Sequence, residues 1–442
     1  MHTSRRTFVR GLAAAGVAFP AFREDAFAHL FRANTIAGEK SAAAVAEDEL
    51  YWSEIARAFD ADRTMINLNN GGISPTPSHV LEQMIRDLKF TNELPVEHMW
   101  RILQPRMEST RRELAKEFGC SPDEMAIVRN ASEALEIMIY GIDLQRGDEV
   151  LVTNQNYGRM ITTWQQRERR EGIVLKQISF KVPPPSDQYI VDQFRAAITP
   201  RTKVIEITHI TNLTGQVLPV REIMRMAKPL GIEVFVDGAH AFGQWPMKRD
   251  ELEVDFYGTS LHKWLHAPIG AGFLYVRQSK IPKLWPLMAA AESQASDIRK
   301  YEEIGTHPQA NFNAVSAALA FSQGMGLDRK IARLRYLRDR WAKRLMSESD
   351  RLGELTKLVG RLRFAVEGSD ASGIKEAEGE INVLARHLPS SHNVGHIVKS
   401  AKLKDSRGAK LAEYYLQRCF HLSREEYAQL AQVESRIKEL EG

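Results

Sequence analysis

Lys263 and Asp237 are the residues of this 442-residue chain whose types and settings most directly offer chemistry. Lys263 stands in Gly258-Thr259-Ser260-Leu261-His262-Lys263-Trp264, at the end of a short apolar run and between a histidine and a tryptophan. That is an odd setting for a solvated surface lysine. A lysine removed from water gives up its proton, and the free amine forms a Schiff base with an aldehyde. Asp237 ends the apolar run Val234-Phe235-Val236 and opens Gly238-Ala239-His240. A carboxylate at a buried strand end needs a partner, because unpaired burial is costly. A protonated pyridine nitrogen is such a partner.

Three further segments share this placement at strand ends. Asn130-Ala131-Ser132-Glu133 is a small-residue turn into a helix, whose free N–H groups suit a phosphate, although Ser132 also reads as an ordinary first-turn residue. Asn154-Gln155-Asn156-Tyr157 puts an aromatic where it can stack on a flat ring or simply line a rim. In His209-Ile210-Thr211-Asn212, Asn212 can donate to a ring oxygen or cap its own loop. His262 and His266 are four apart, but no acidic partner completes an HExxH pattern, so no metal set is expected.

Positioning these residues requires alternating strands and helices. Short apolar runs predict strands at Ala126–Arg129, Glu149–Thr153, Ile173–Ile178, Lys203–Thr208, Glu233–Val236, Phe256–Thr259 and Phe273–Val276. Amphipathic segments between them, such as Ser132–Ile142, Gln188–Ile198 and Val220–Leu230, predict helices. The pattern implies an α/β fold with a mostly parallel seven-stranded sheet covered on both faces, ligands binding at the carboxyl ends of the strands. A nucleotide-dependent α/β enzyme lacks support: there is no GxGxxG after the first strand and no Walker A loop. A helix is expected over Glu49–Phe59. Residues 311–442 read as mostly helical, with an apolar stripe Ile331, Leu334, Leu337, Trp341 and Leu345. A capping box Ser423/Glu426 is expected before a last helix whose core side holds Tyr427, Leu430, Ile437 and Leu440.

Composition sets outer bounds. With 43% hydrophobic and 26% charged residues and a net charge of +4, the chain reads as a soluble globular protein, and nothing asks for nucleic acid or a membrane surface. Ser4-Arg5-Arg6-Thr7-Phe8-Val9-Arg10, the apolar stretch Gly11–Phe22 and Ala26-Phe27-Ala28 resemble a twin-arginine signal peptide over 1–28. The apolar stretch is too short to span a bilayer. This predicts export to the periplasm of an already folded, cofactor-loaded protein. The domain plan that follows is a linker over 29–46, an N-terminal segment over 47–75, a large domain over 76–310 and a small C-terminal domain over 311–442. Cys120 and Cys419 read as two separate thiols.

Taken together, Asn69-Asn70-Gly71-Gly72, Val236-Asp237-Gly238-Ala239-His240, Ser260-Leu261-His262-Lys263 and Gly305-Thr306 make residues 67–320 resemble the class V aminotransferase family, in its isopenicillin N epimerase-like branch. The resemblance implies the type I PLP-dependent transferase fold, with a smaller C-terminal α+β domain, and pyridoxal 5'-phosphate (PLP) as cofactor. It implies that Lys263 forms the Schiff base and then shuttles protons, and that Asp237 keeps the ring nitrogen protonated. Tyr157 would stack on the ring, with Asn212 and His240 near the ring hydroxyl. Ala131, Ser132, Ser260 and His262 would hold the phosphate. Thr306 would reach the cofactor of a second subunit, which implies a homodimer. The segment 92–100 matches the region that shapes the substrate mouth and offers His98 and Trp100 as substrate contacts, although Trp100 reads equally as core and His98 as a rim residue; Asn70 is a further candidate substrate contact.

The implied activity is transamination or epimerisation of an amino acid or amine. A PLP-dependent lyase or desulfurase, or a non-catalytic binding protein on this fold, is the alternative. The family's C-terminal arginine segment, which grips a substrate carboxylate, has no counterpart in residues 355–442; Arg407 is the nearest candidate and reads better as a solvated loop residue. Neither cysteine sits in a loop like that of the desulfurases.

Overall fold

The computed structural model describes residues 26–441, and Arg5-Arg6 with most of the expected signal peptide lies outside them. The chain divides into two compact units at Arg333/Leu334.

The first unit is built on seven strands: β1 (Met125–Val128), β2 (Glu149–Thr153), β3 (Val174–Ile178), β4 (Thr202–Thr208), β5 (Glu233–Asp237), β6 (Phe256–Ser260) and β7 (Gly272–Val276). Their spatial order is β1-β7-β6-β5-β4-β2-β3. From β3 through β6 all neighbours are parallel, while β7 runs antiparallel to both β6 and β1. The central strands are runs of Val, Ile and Phe buried on both faces, as a sheet covered by helices requires. One face packs against the helices Gln104–Phe118, Asp187–Ala197 and Val220–Ala227 through Phe118, Phe194 and Ile223. The other packs against Ala131–Gly141 and Gly158–Glu171 through Leu135, Met138 and Trp164.

Two boundaries differ from expectation. Residues 29–46 are no linker: helices Ala26–Ala37 and Ala42–Ala46 bury Leu30, Ala33, Ala37 and Val45 against Tyr51, Ile55, Phe321 and Met325. Their alanine-rich composition is that of a close-packed helix face. The helices Ala310–Asn313 and Val315–Met325 also belong to the first unit, since Phe312, Val315 and Leu319 join its core, so this unit extends well past residue 310.

The second unit, Leu334–Gly442, is helical, with a core of Leu352, Leu355, Leu362, Ile381, Ile397 and Cys419. Among its described residues there is no strand, so the expected α+β character is absent there. The Ser423/Glu426 capping box does not form. Ser423 closes the preceding helix and donates to the Phe420 carbonyl, while Glu426 binds His421 Nδ1 at 2.6 Å. The chain turns between the two helices at Glu425, with φ 57°, and leaves Tyr427 exposed; Val433 and Ile437 carry the packing. Of the apolar stripe, Leu337, Trp341 and Leu345 are exposed.

The segment that leads to Thr306 is anchored by one buried ion pair. Arg111, fully buried, donates to both carboxylate oxygens of Glu302 and to the Met125 carbonyl, and Glu302 also accepts from the Ile127 amide at 2.6 Å. Removing one partner of such a pair strands a charge without water. Replacing Arg111 by Met is therefore expected to lower unfolding stability by about 3–5 kcal/mol, read by denaturant titration.

Candidate active site

The carboxyl ends of β4, β5 and β6 converge. Asp237 ends β5 fully enclosed, and its Oδ1 accepts from the Ala239 amide at 3.0 Å. The turn that follows must start with glycine: a Cβ on Gly238 would lie 2.0 Å from the Tyr257 ring. The turn brings His240 round to face the loop after β6, where Lys263 Nζ lies 3.1 Å from His240 Nε2. Trp264 Nε1 donates to His240 Nδ1 at 3.3 Å.

The charges in this cluster depend on exclusion of water. Burial pushes the Lys263 amine below its ordinary range, and the Asp237 charge works against that shift. Burial raises the Asp237 carboxyl, opposed by the Ala239 N–H and by Lys263. His240 falls to about 4, through burial first and the Lys263 charge second, so it is neutral at physiological pH. His262 is lowered for the same two reasons.

A frame of polar contacts holds the lysine loop. Ser74 donates from its amide and its hydroxyl to the His262 carbonyl, and its Oγ meets His266 Nδ1 at 3.0 Å. Lys330 lies on the other side, with Nζ on the Trp264 carbonyl and 3.2 Å from His266 Nε2. Burial takes Lys330 down to about 7. The Asn70-Gly71 turn closes over the pair, since a Cβ on Gly71 would sit 3.3 Å from Trp264 and 3.5 Å from His240.

On the phosphate side, Ser260 Oγ accepts from the Ala131 amide at 2.9 Å, which ties the end of β6 to the first turn of helix Ala131–Gly141. Asn130 caps that helix by accepting from the Glu133 amide at 2.9 Å, and Ser132 is half-buried beside it. The other expected contacts are more open. Tyr157 precedes helix Gly158–Glu171 and is exposed, as is Asn212 in the turn after β4. Thr306 is exposed beyond Gly305. Asn70 is exposed and accepts from Asn67 Nδ2 at 2.8 Å. His98 stacks on Phe90 at 3.6 Å and binds its carbonyl at 2.6 Å, while Trp100 is exposed on the same helical turn. Arg407, in the second unit, donates to the Leu440 carbonyl at the end of the last helix.

Sequence reasoning missed Glu206. It lies fully buried on β4, where it accepts from Trp164 Nε1 and from Asn156 Nδ2 at 3.3 Å. Asn156 in turn accepts from the Thr153 amide and hydroxyl, so Glu206 sits beneath the turn that carries Tyr157. Burial raises its carboxyl to about 7, with Asp237 adding to the rise and Trp164 opposing it. An acidic residue inside a strand run of Val and Ile was the available signal.

The family model for class V aminotransferases matches residues 66–387. The chain belongs to the class V aminotransferase family. Its cofactor is PLP. Isopenicillin N epimerase of Streptomyces clavuligerus is 30% identical over 53% of this chain and 59% of its own length. The corresponding protein of Amycolatopsis lactamdurans is 28% identical over 65% of this chain and 76% of its own. A probable cysteine desulfurase of Synechocystis is 27% identical over 59% of this chain and 63% of its own. The chain thus spans about three-fifths of the first and third of these relatives. Among solved structures, the cystine C-S lyase C-DES, in complex with its reaction product cysteine persulfide, aligns with a TM-score of 0.53 at 25% identity, over 59% of this chain and 73% of that one. The apo cysteine desulfurase of Thermococcus onnurineus NA1 aligns with a TM-score of 0.56 at 21% identity, over 69% and 77%, and shares the fold.

The class V cofactor fits what the residues leave open. His262 Nδ1, Thr208 Oγ1 and Gln155 Oε1 are buried without a partner among the described residues, and all three stand at the carboxyl ends of strands. Buried polar atoms of this kind call for a ligand with several hydrogen-bonding groups.

The buried Glu206 has a measurable signature. Its raised carboxyl means that its stabilising protonated state is fully present below the ordinary carboxyl range and is lost as pH rises through about 7. Relative to Glu206→Gln, which does not titrate, the wild type is expected to lose up to about 3 kcal/mol between pH 4.5 and 7. Denaturant titrations of both proteins at the two pH values read that difference.

Proposed function

We propose that this protein is a PLP-dependent enzyme that moves a proton at the amine-bearing carbon of an amino acid or amine, as an epimerase or aminotransferase. The observation that carries this reading is a desolvated lysine amine, 3.1 Å from a neutral histidine and beside a buried carboxyl. Bound PLP supplies an electron sink that weakens the bonds at that carbon. Asp237 offers an enclosed carboxyl for the ring nitrogen, with one oxygen already set by the Ala239 amide. Lys263, lowered toward its free-amine form, is suited to take a proton and return it. Burial and the Lys263 charge hold His240 well below its ordinary range, so it acts as a neutral hydrogen-bonding group. Ser260, His262 and the Ala131–Ser132 turn are the residues we assign to the phosphate, and Tyr157 and Asn212 to the ring. A desulfurase reading is disfavoured, because burial pushes both Cys120 and Cys419 up to about 12 and neither is a ready thiolate.

The proposal includes a homodimer, with Thr306 of one copy serving the site of the other. It is supported by the exposed position of Thr306 and by the exposed apolar residues Ile66, Leu68 and Trp285 of the same unit. It also includes export by the twin-arginine route, on the strength of Arg5-Arg6 and Ala26-Phe27-Ala28.

Purified protein is expected to show a yellow band that borohydride bleaches, with the reduced adduct mapping to Lys263 and absent from Lys263→Ala. A colourless protein that stays colourless with added PLP would refute the reading. In heavy water, exchange of deuterium at the amine-bearing carbon with inversion marks an epimerase, whereas accumulation of a keto acid marks an aminotransferase. Cells carrying the full gene are expected to yield periplasmic protein that begins at His29.

A further inference from the structure

We infer that Trp264 is a positioning residue whose indole N–H fixes the proton of His240 on Nε2, the ring nitrogen facing the Lys263 amine. The inference rests on the reading of Lys263 as the cofactor lysine. An indole nitrogen donates and cannot accept. At 3.3 Å from His240 Nδ1, it requires that nitrogen to present its lone pair. A neutral imidazole carries one N–H, so the proton sits on Nε2, 3.1 Å from Lys263 Nζ.

The two hydrogen bonds are compatible with only one charge state of the lysine. A free amine accepts from Nε2–H, and both contacts are made. An ammonium would have to donate to Nε2, which would force the imidazole proton onto Nδ1, against the indole. Trp264 therefore favours the nucleophilic form of Lys263 through the His240 ring. Desolvation acts in the same direction on both groups. The other titratable groups around the pair are Asp237 at the end of β5, His262 on the lysine loop, and Lys330 behind Trp264.

The indole itself is held in place. Its residue's carbonyl accepts from Lys330 Nζ, and the bare backbone of Gly71 covers its outer edge.

The test is the nitrogen NMR spectrum of protein labelled with 15N in histidine, cofactor-loaded and cofactor-stripped, with the His240 signals identified by their loss in His240→Gln. Both forms are expected to show a protonated Nε2 and a bare Nδ1. Trp264→Phe keeps an aromatic ring but removes the donor. It is expected to give a mixture of tautomers and, after stripping, to recombine with PLP about fivefold more slowly, the effect of one lost hydrogen bond. A proton on Nδ1 in the wild type, or an unchanged Nε2–H tautomer in Trp264→Phe, would overturn the inference. The wild-type spectrum decides the matter even if the variant does not fold. A borohydride adduct that forms somewhere other than Lys263 would instead overturn the reading of the lysine, a separate result.

Discussion

The site depends on an amine and a carboxyl being buried near each other with too little water to solvate either. Lys263 is lowered because it is desolvated, Asp237 is raised for the same reason, and each moderates the other's shift. Such a pair is costly to hold in a fold. Much of the first unit can be seen as meeting that cost. The double-faced sheet excludes water from the strand ends, Gly238 lets Tyr257 pack tightly beneath the turn, and Ser74 and Lys330 fasten the lysine loop from two sides. Burial raises both Tyr257 and Glu206, and the Asp237 charge adds to the rise.

The strands and the lysine–aspartate pair were legible because they follow from short-range rules. Runs such as Val234-Phe235-Val236 can be little else than buried strands, and a charged residue at the end of such a run stands out. What the sequence concealed depends on contacts between distant segments. The roles of Trp264 and Lys330 arise from a loop and a helix that meet only after folding. Glu206 was hidden inside a strand read for its apolar neighbours. The helix Ala26–Ala37 was mistaken for a linker because alanine is ambiguous: it is small enough for a flexible tether and equally suited to a close helix contact.

The second unit shows the limit of reasoning from resemblance. The family likeness called for strands after the large domain, yet residues 334–441 form helices around their own leucine-rich core. Local periodicity in this region already indicated helix, and there it was the better guide. The same region lacks the arginine segment expected to grip a substrate carboxylate, and Arg407 is engaged with the end of a helix.

The anchoring of Glu302 also bears on the outer edge of the sheet. β1 is an outer strand of the sheet, and an outer strand ordinarily offers its amides to any extended segment that drifts alongside. Here a carboxylate fixed by Arg111 already occupies the Ile127 amide. At the opposite margin, β3 carries Lys176, whose ammonium is drawn to Glu149 and to the Ala197 carbonyl. A carboxylate thus guards the β1 border of the sheet. Growth by strand addition is discouraged there.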